Sequence, residues 1–126
     1  MTTKEQLIAA VSGLIQAEND GSRKDAERYL SRSFTVISRS RNEEQEREAM
    51  LEEIARPNPD LHRSLEEAEF ATWPSGALNV VRSTVVLRNA AKPGEPRRFR
   101  NLHVFQDEDG EPRCIAWFVA EIPKPA

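Results

Sequence analysis

Apolar positions recur at helical spacing through the first half of the chain and alternate at strand spacing through most of the second. Leu7, Ile8, Val11, Leu14 and Ile15 share one face and predict an amphipathic helix, capped by Thr2 or Thr3 with Glu5 or Gln6 three residues on. Asn19-Asp20-Gly21 ends it, because glycine tolerates the left-handed conformation that a helix terminus needs. Ser22 then caps a short second helix carrying Ala26, Tyr29 and Leu30, and the two helices form a hairpin. Phe34 to Ser38, short and rich in β-branched residues, predicts a strand. A third helix is expected from Asn42, with Gln45 in the reciprocal capping position, Glu43 and Glu44 at the positive end of the dipole, and Ala49, Met50, Leu51 and Ile54 on its apolar face. Pro57-Asn58-Pro59 closes it.

Leu61 to Thr72 has mixed signals. The run S-L-E-E-A-E-F favours helix, while the P-N-P and W-P-S-G that bound it favour a strand between turns, and a strand is expected. After Pro74-Ser75-Gly76, three β-rich runs are separated by K-P-G-E-P and D-E-D-G-E-P and predict a three-strand meander. Short turns make neighbouring strands antiparallel, and helices grouped before strands give an α+β fold with three N-terminal helices on one face of a curved antiparallel sheet. In the last two strands both alternating sets are partly apolar, Phe99 and Phe105 against Leu102 and Val104, then Ala116 and Phe118 against Ile115, Trp117 and Val119. A sheet open to water on one side alternates more cleanly, so the outer face is expected to be covered by a second copy of the chain.

Composition narrows the class. The 126 residues suit one domain, 1–126, ending in a Pro123–Ala126 tail that cannot pair well in a sheet. Basic and acidic side chains, 18 and 21, are mixed along the chain for a net charge of -3, so no face is expected to track nucleic acid. There is neither a signal-like apolar start nor a run long enough to span a bilayer, and the cytoplasm is the expected compartment. Cys114 stands alone, which removes an internal disulfide and multi-cysteine zinc sites and marks a small core residue.

The first helix followed by N-D-G, the strand F-T-V-I-S after Y-L-S-R-S, and the hairpin V-F-Q-D-E-D-G-E-P come in the order helix, helix, strand, helix and four long strands. That succession resembles the nuclear transport factor 2-like superfamily, which includes ketosteroid isomerases, scytalone dehydratase, SnoaL-like polyketide cyclases and kinase association domains. The resemblance spans about the whole chain. It implies a cone-shaped half-barrel whose strongly curved sheet holds an apolar pocket closed at one end by the helices, and a dimer through the outer face. The isomerases of this group use a carboxylate at the end of the first strand and a helix-borne tyrosine. Here Ser38 stands in about that strand position and the first helix has no tyrosine. A serine of ordinary pKa cannot serve as that general base.

The remaining candidates each have a functional and a structural reading. His103 alternates with Asn101, Phe99 and Phe105 on one strand face, where an imidazole shuttles protons and Asn101 orients a carbonyl if the face lines the pocket; otherwise His103 is a core or interface residue. Arg82 and Arg100 either meet an anionic ligand or pair with Glu67 or Glu69. Tyr29 reaches the pocket mouth or packs in the core, and Trp117 is a pocket wall or an interface anchor. With Phe34 and Ser38 these make the candidate binding set Tyr29, Phe34, Ser38, Arg82, Asn101 and Trp117, with His103 as the catalytic candidate. There is no phosphate loop, no nucleophile elbow and no zinc spacing between His62 and His103, so neither cofactor nor metal is expected. The sequence reads first as a homodimer binding a small apolar ligand, and second as an isomerase, cyclase or dehydratase acting through His103.

Overall fold

Thr3 starts the first helix with a reciprocal cap, its hydroxyl accepting from Gln6 N–H at 3.1 Å and its N–H donating to the Gln6 side chain at 2.8 Å. In the computed structural model, which describes residues 2–38, 43–72 and 78–124, helix α1 runs Lys4–Asp20 and ends on Gly21 in the left-handed conformation. Ser22 caps α2, Arg23–Tyr29. The elements that follow are β1 Leu30–Ser38, β2 Glu43–Glu46, α3 Arg47–Ile54, β3 Leu61–Thr72, β4 Leu78–Asn89, β5 Arg97–Glu108 and β6 Glu111–Glu121. Two glycines permit the helices to nest. A Cβ at Gly13 would stand 2.4 Å from the Tyr29 ring, and one at Gly21 would stand 2.5 Å from Pro57 at the end of α3.

The six strands form one open, curved sheet in the order β2-β1-β6-β5-β4-β3. The meander β3-β4-β5-β6 is antiparallel throughout, as short turns require. Asp109 and Gly110, both at positive φ, make the two-residue loop between the paired residues Glu108 and Glu111. One pair departs from the expected antiparallel pattern. β1 lies parallel to β6, with Val36 beside Trp117 and Ser38 beside Val119. These strands share no turn, so the constraint that orients the meander does not act on them.

The third helix also starts later than its charge pattern suggests. Residues 43–46, expected as a helical first turn, pair with β1 as a strand, Thr35 opposite Glu46 and Val36 opposite Gln45; Asn42 lies outside the described residues, as do Pro74-Ser75-Gly76 and Pro125-Ala126. Arg47 fixes the change of direction by donating to the Leu30 and Glu27 carbonyls, both at 3.3 Å. Glu46 occupies the N-cap without a side-chain bond. Leu30, expected on the second helix, instead closes it and opens β1, opposite Cys114.

The core lies between α1 and the concave face of the sheet. Leu7, Val11 and Leu14 of α1 are buried with Phe34, Val81 and Phe105, whereas Ile8 is an exposed member of the predicted apolar set. Cys114 is buried as expected, its thiol donating to the Ala116 carbonyl at 3.3 Å. On the convex face, ion pairs Arg82–Glu69 and Arg98–Glu66 cross between strands. Leu102 and Phe118 sit opposite each other there, with Phe118 39% exposed.

Strand β3 is an edge, and edges invite unwanted pairing. Asn19, in the last turn of α1, meets this edge like a strand residue. Its amide nitrogen donates to the Arg63 carbonyl at 2.8 Å and its oxygen accepts from the Arg63 N–H at 2.7 Å. Asn19→Ala removes both bonds at once and is expected to lower unfolding free energy by about 1–3 kcal/mol. Hydrogen exchange, measured alongside urea unfolding, should show the Arg63 amide losing protection before the rest of β3; an unchanged amide would remove the clamp from the account.

Candidate functional site

Alternation along β4, β5 and β6 turns Val85, Phe99, Asn101, Trp117 and Val119 toward the helices. With Val36 of β1 and Met50 and Ile54 of α3 they floor and wall a cleft of about 500 Å³. Its depth is apolar. Its rim is charged: Glu18 from α1, Glu53 and Arg56 from the end of α3, Arg63 from β3 and Arg97 from β5. The cleft therefore has an apolar interior under a polar mouth, an arrangement common to sites for small molecules.

In the floor, the Trp117 indole N–H donates to Asn101 Oδ1 at 2.6 Å, while Asn101 Nδ2 makes only a long 3.4 Å contact to the Phe99 carbonyl. The amide is thus oriented by the indole and retains donor capacity. His103 lies beneath this floor. Its ring is tilted against Trp117 at 4.5 Å between centroids and stacked with Phe105 at 6.0 Å. It is 0% exposed, neither ring nitrogen has a hydrogen-bond partner, and burial pushes its pKa down to about 3. The buried Ser83 hydroxyl, across the strand pair from Asn101, also has no partner.

At the rim two of the three arginines, Arg97 and Arg63, are already engaged. Arg97 holds Glu121 through two bonds of 2.7 Å and lies over the Phe99 ring at 5.1 Å. This pairing raises the guanidinium pKa and lowers that of the Glu121 carboxyl. Arg63 meets Glu18 through Nε at 3.3 Å, longer than a charge-assisted hydrogen bond. Glu18 is the group in the worst electrostatic position. Its side chain is only 15% exposed, and burial, opposed by Arg63 and reinforced by Glu53, raises its carboxyl pKa to about 7. It also stands in the last turn of α1, at the negative end of the helix, where there is no basic residue.

The expected site residues thus separate. Asn101 and Trp117 line the cleft, and His103 touches Trp117 from below without joining the lining. Tyr29 packs over Gly13, Phe34 is in the core, and Arg82 is on the convex face paired with Glu69. Ser38 is at the end of β1 between Glu43 and Val119. Glu18 and Arg63 were not anticipated. The available signal was an acidic last turn, Glu18 with Asp20, on an otherwise well-formed helix. Among the described residues no cluster of ligating side chains suits a metal ion.

The sequence matches no protein-family profile, and comparison with curated proteins finds no significant relative. Solved structures do match. The kinase hub domain "S. rosetta CaMKII hub" superposes with a TM-score of 0.82 at 11% identity, covering 97% of this chain and 98% of that one. An NTF2-like protein from Cytophaga hutchinsonii gives 0.77 at 16% identity, covering 97% and 100%. A candidate dehydratase of the NTF2-like family from Streptomyces avermitilis gives 0.76 at 12%, covering 95% and 96%. The chain has the nuclear transport factor 2-like fold. The NTF2-like fold accounts for the curved open sheet and the helices across its concave side. No helix among the described residues is long and apolar enough to cross a membrane.

Two buried groups give opposed pH dependences. Glu18 has a folded-state pKa above its ordinary 4.5, so its contribution to stability is present below pH 4.5 and lost as pH rises through about 7. His103 has a folded-state pKa below its ordinary 6.5, so its contribution is present above pH 6.5 and lost as pH falls toward about 3. Between pH 4.5 and 6.5 the two slopes, each up to about 1.4 kcal/mol per pH unit, oppose each other. Relative to wild type, Glu18→Gln should lose stability on acidification through this window. His103→Phe should gain it. Urea unfolding at half-unit pH steps reads both, and parallel profiles for the two variants and wild type would contradict the assigned burial.

Proposed function

We propose that the protein binds a small, largely apolar molecule in the cleft between α3 and the concave sheet, as a homodimer joined through the convex face. The observation that carries this reading is the cleft itself, about 500 Å³, with an apolar floor in which Asn101 supplies one oriented amide. Clefts of this volume and lining suit one small organic molecule. The dimer draws support from the exposed Phe118, paired on the convex face with the half-buried Leu102, and from solved neighbours described as association and hub domains. The cytoplasm is the compartment that fits this reading.

A second reading, an isomerase, cyclase or dehydratase using His103 as acid or base, has one observation in its favour, the two unbonded imidazole nitrogens. The ring's position below Trp117 and its low pKa weigh against it, because a base that protonates only near pH 3 takes up protons poorly at neutral pH.

Native mass spectrometry of gently purified protein tests both parts of the first reading. The expected result is a dimer carrying a low-mass adduct. Phe118→Arg should yield monomers that keep the adduct, and Val119→Trp, which fills the cleft, should yield dimers that lose it. A wild-type monomer without adduct would refute the proposal.

A further inference from the structure

The rim of the cleft points to the chemistry of its ligand, given the reading of the cleft as a binding site. Of the three arginines there, Arg97 is neutralised by Glu121 through two short bonds. Arg56, exposed, has no ion pair among the described residues, and Arg63 has one long contact to Glu18. Glu18 is a poor counter-ion for Arg63. It is nearly buried, it shares the cleft with Glu53, and it ends a helix at the pole that repels negative charge. The arrangement sets Glu18 against helix-charge preference, and such departures concentrate at functional or strained sites.

We propose that the cleft takes an apolar molecule bearing one carboxylate, which replaces Glu18 as the partner of Arg63, and that Glu18 takes up a proton as this ligand binds. The exchange conserves charge at the rim. One carboxylate arrives and another becomes neutral, and the protonated Glu18 then acts as a hydrogen-bond donor instead of a competitor. Its carboxyl, poised to titrate around neutral pH, makes the proton readily available. An ammonium ligand fits less well. It would require Glu18 to be ionised against burial and would set a third cation beside Arg63 and Arg56.

The charged groups that bear on Glu18 are Arg63 from β3 and Glu53 from α3, while Arg56, just past α3, shares the cleft. Arg97 from β5 shares the cleft but is held by Glu121 of β6. On α1 itself, Asp20 is exposed and accepts from Gln16. Arg63's role in the fold is separable from its role at the rim, because Asn19 clamps its main chain and leaves its guanidinium aside.

Three probes with one apolar body test the proposal: 1-naphthylacetate, 1-naphthylmethylamine and 1-naphthalenemethanol, titrated calorimetrically between pH 6 and pH 8.5. The acid should bind wild type at least about tenfold tighter than the alcohol at pH 6, with affinity falling up to about tenfold per unit above pH 7. At pH 8, titrations in phosphate and in Tris should show about one proton taken up per acid bound. Glu18→Gln should bind the acid with no pH dependence and no proton uptake, and Arg63→Met should bind acid and alcohol alike. Equal binding of acid and alcohol by wild type, tighter binding of the amine, or acid binding without proton uptake would overturn the proposal while leaving the cleft as a site. Failure of all three probes to bind would count against the cleft itself.

Discussion

The contact between the last turn of α1 and the edge strand β3 is the constraint on which the rest of the molecule depends. An exposed strand edge needs a partner, and a helix terminus leaves polar groups without one. Asn19 meets the first need by pairing with both main-chain groups of Arg63, while the Gly21 and Ser22 N–H groups close the helix end on the Ala17 carbonyl. The bonds fix how far the helix stands from the curved sheet at that end. Because Gly21 and Pro57 then meet closely, the end of α3 is fixed as well. The cleft is the space these three ends leave open above Asn101 and Trp117.

The same contact has an electrostatic consequence. Holding Asn19 against Arg63 puts Glu18, one residue earlier, into the cleft wall, nearly buried and at the unfavourable helix pole. Deeper in, His103 lies buried against the rings of Trp117 and Phe105, and the imidazole stays neutral with both nitrogens unsatisfied. The protein thus carries two ionisable groups, one at the mouth and one below the floor, each held away from its ordinary pKa by burial. Their opposed slopes keep the pH dependence of stability small in mildly acidic solution. Such paired costs are compatible with a fold whose stability margin is only about 5–15 kcal/mol.

Much of the scaffold was legible in the sequence because local chemistry determined it. Thr3 with Gln6, Gly21, Ser22 and the Asp109-Gly110 turn each act through near neighbours, and each does in the structure what its residue type suggests. Errors arose where distant residues decide. The acidic run before Arg47 has a helix-start pattern, yet pairing with β1 and the reach of Arg47 to Leu30 and Glu27 turn residues 43–46 into a strand. The parallel direction of β1 against β6 has no local signature at all. The site was legible in half. Alternation grouped Asn101 with His103 on one strand and Trp117 with Val119 on the next but could not say which sets face the cleft, and Glu18 depends on an apposition of α1, α3 and β3 that no periodicity encodes.

The central claim is that the α1–β3 contact holds Glu18 in a low-polarity wall of the cleft. A carbon-13 titration of the Glu18 side-chain carboxyl, assigned by its loss in Glu18→Gln, measures this directly. The account predicts a midpoint near pH 7, against the ordinary 4.5. A midpoint in the ordinary range would mean that water reaches the carboxylate freely, and it would contradict both the burial and the cleft built on it.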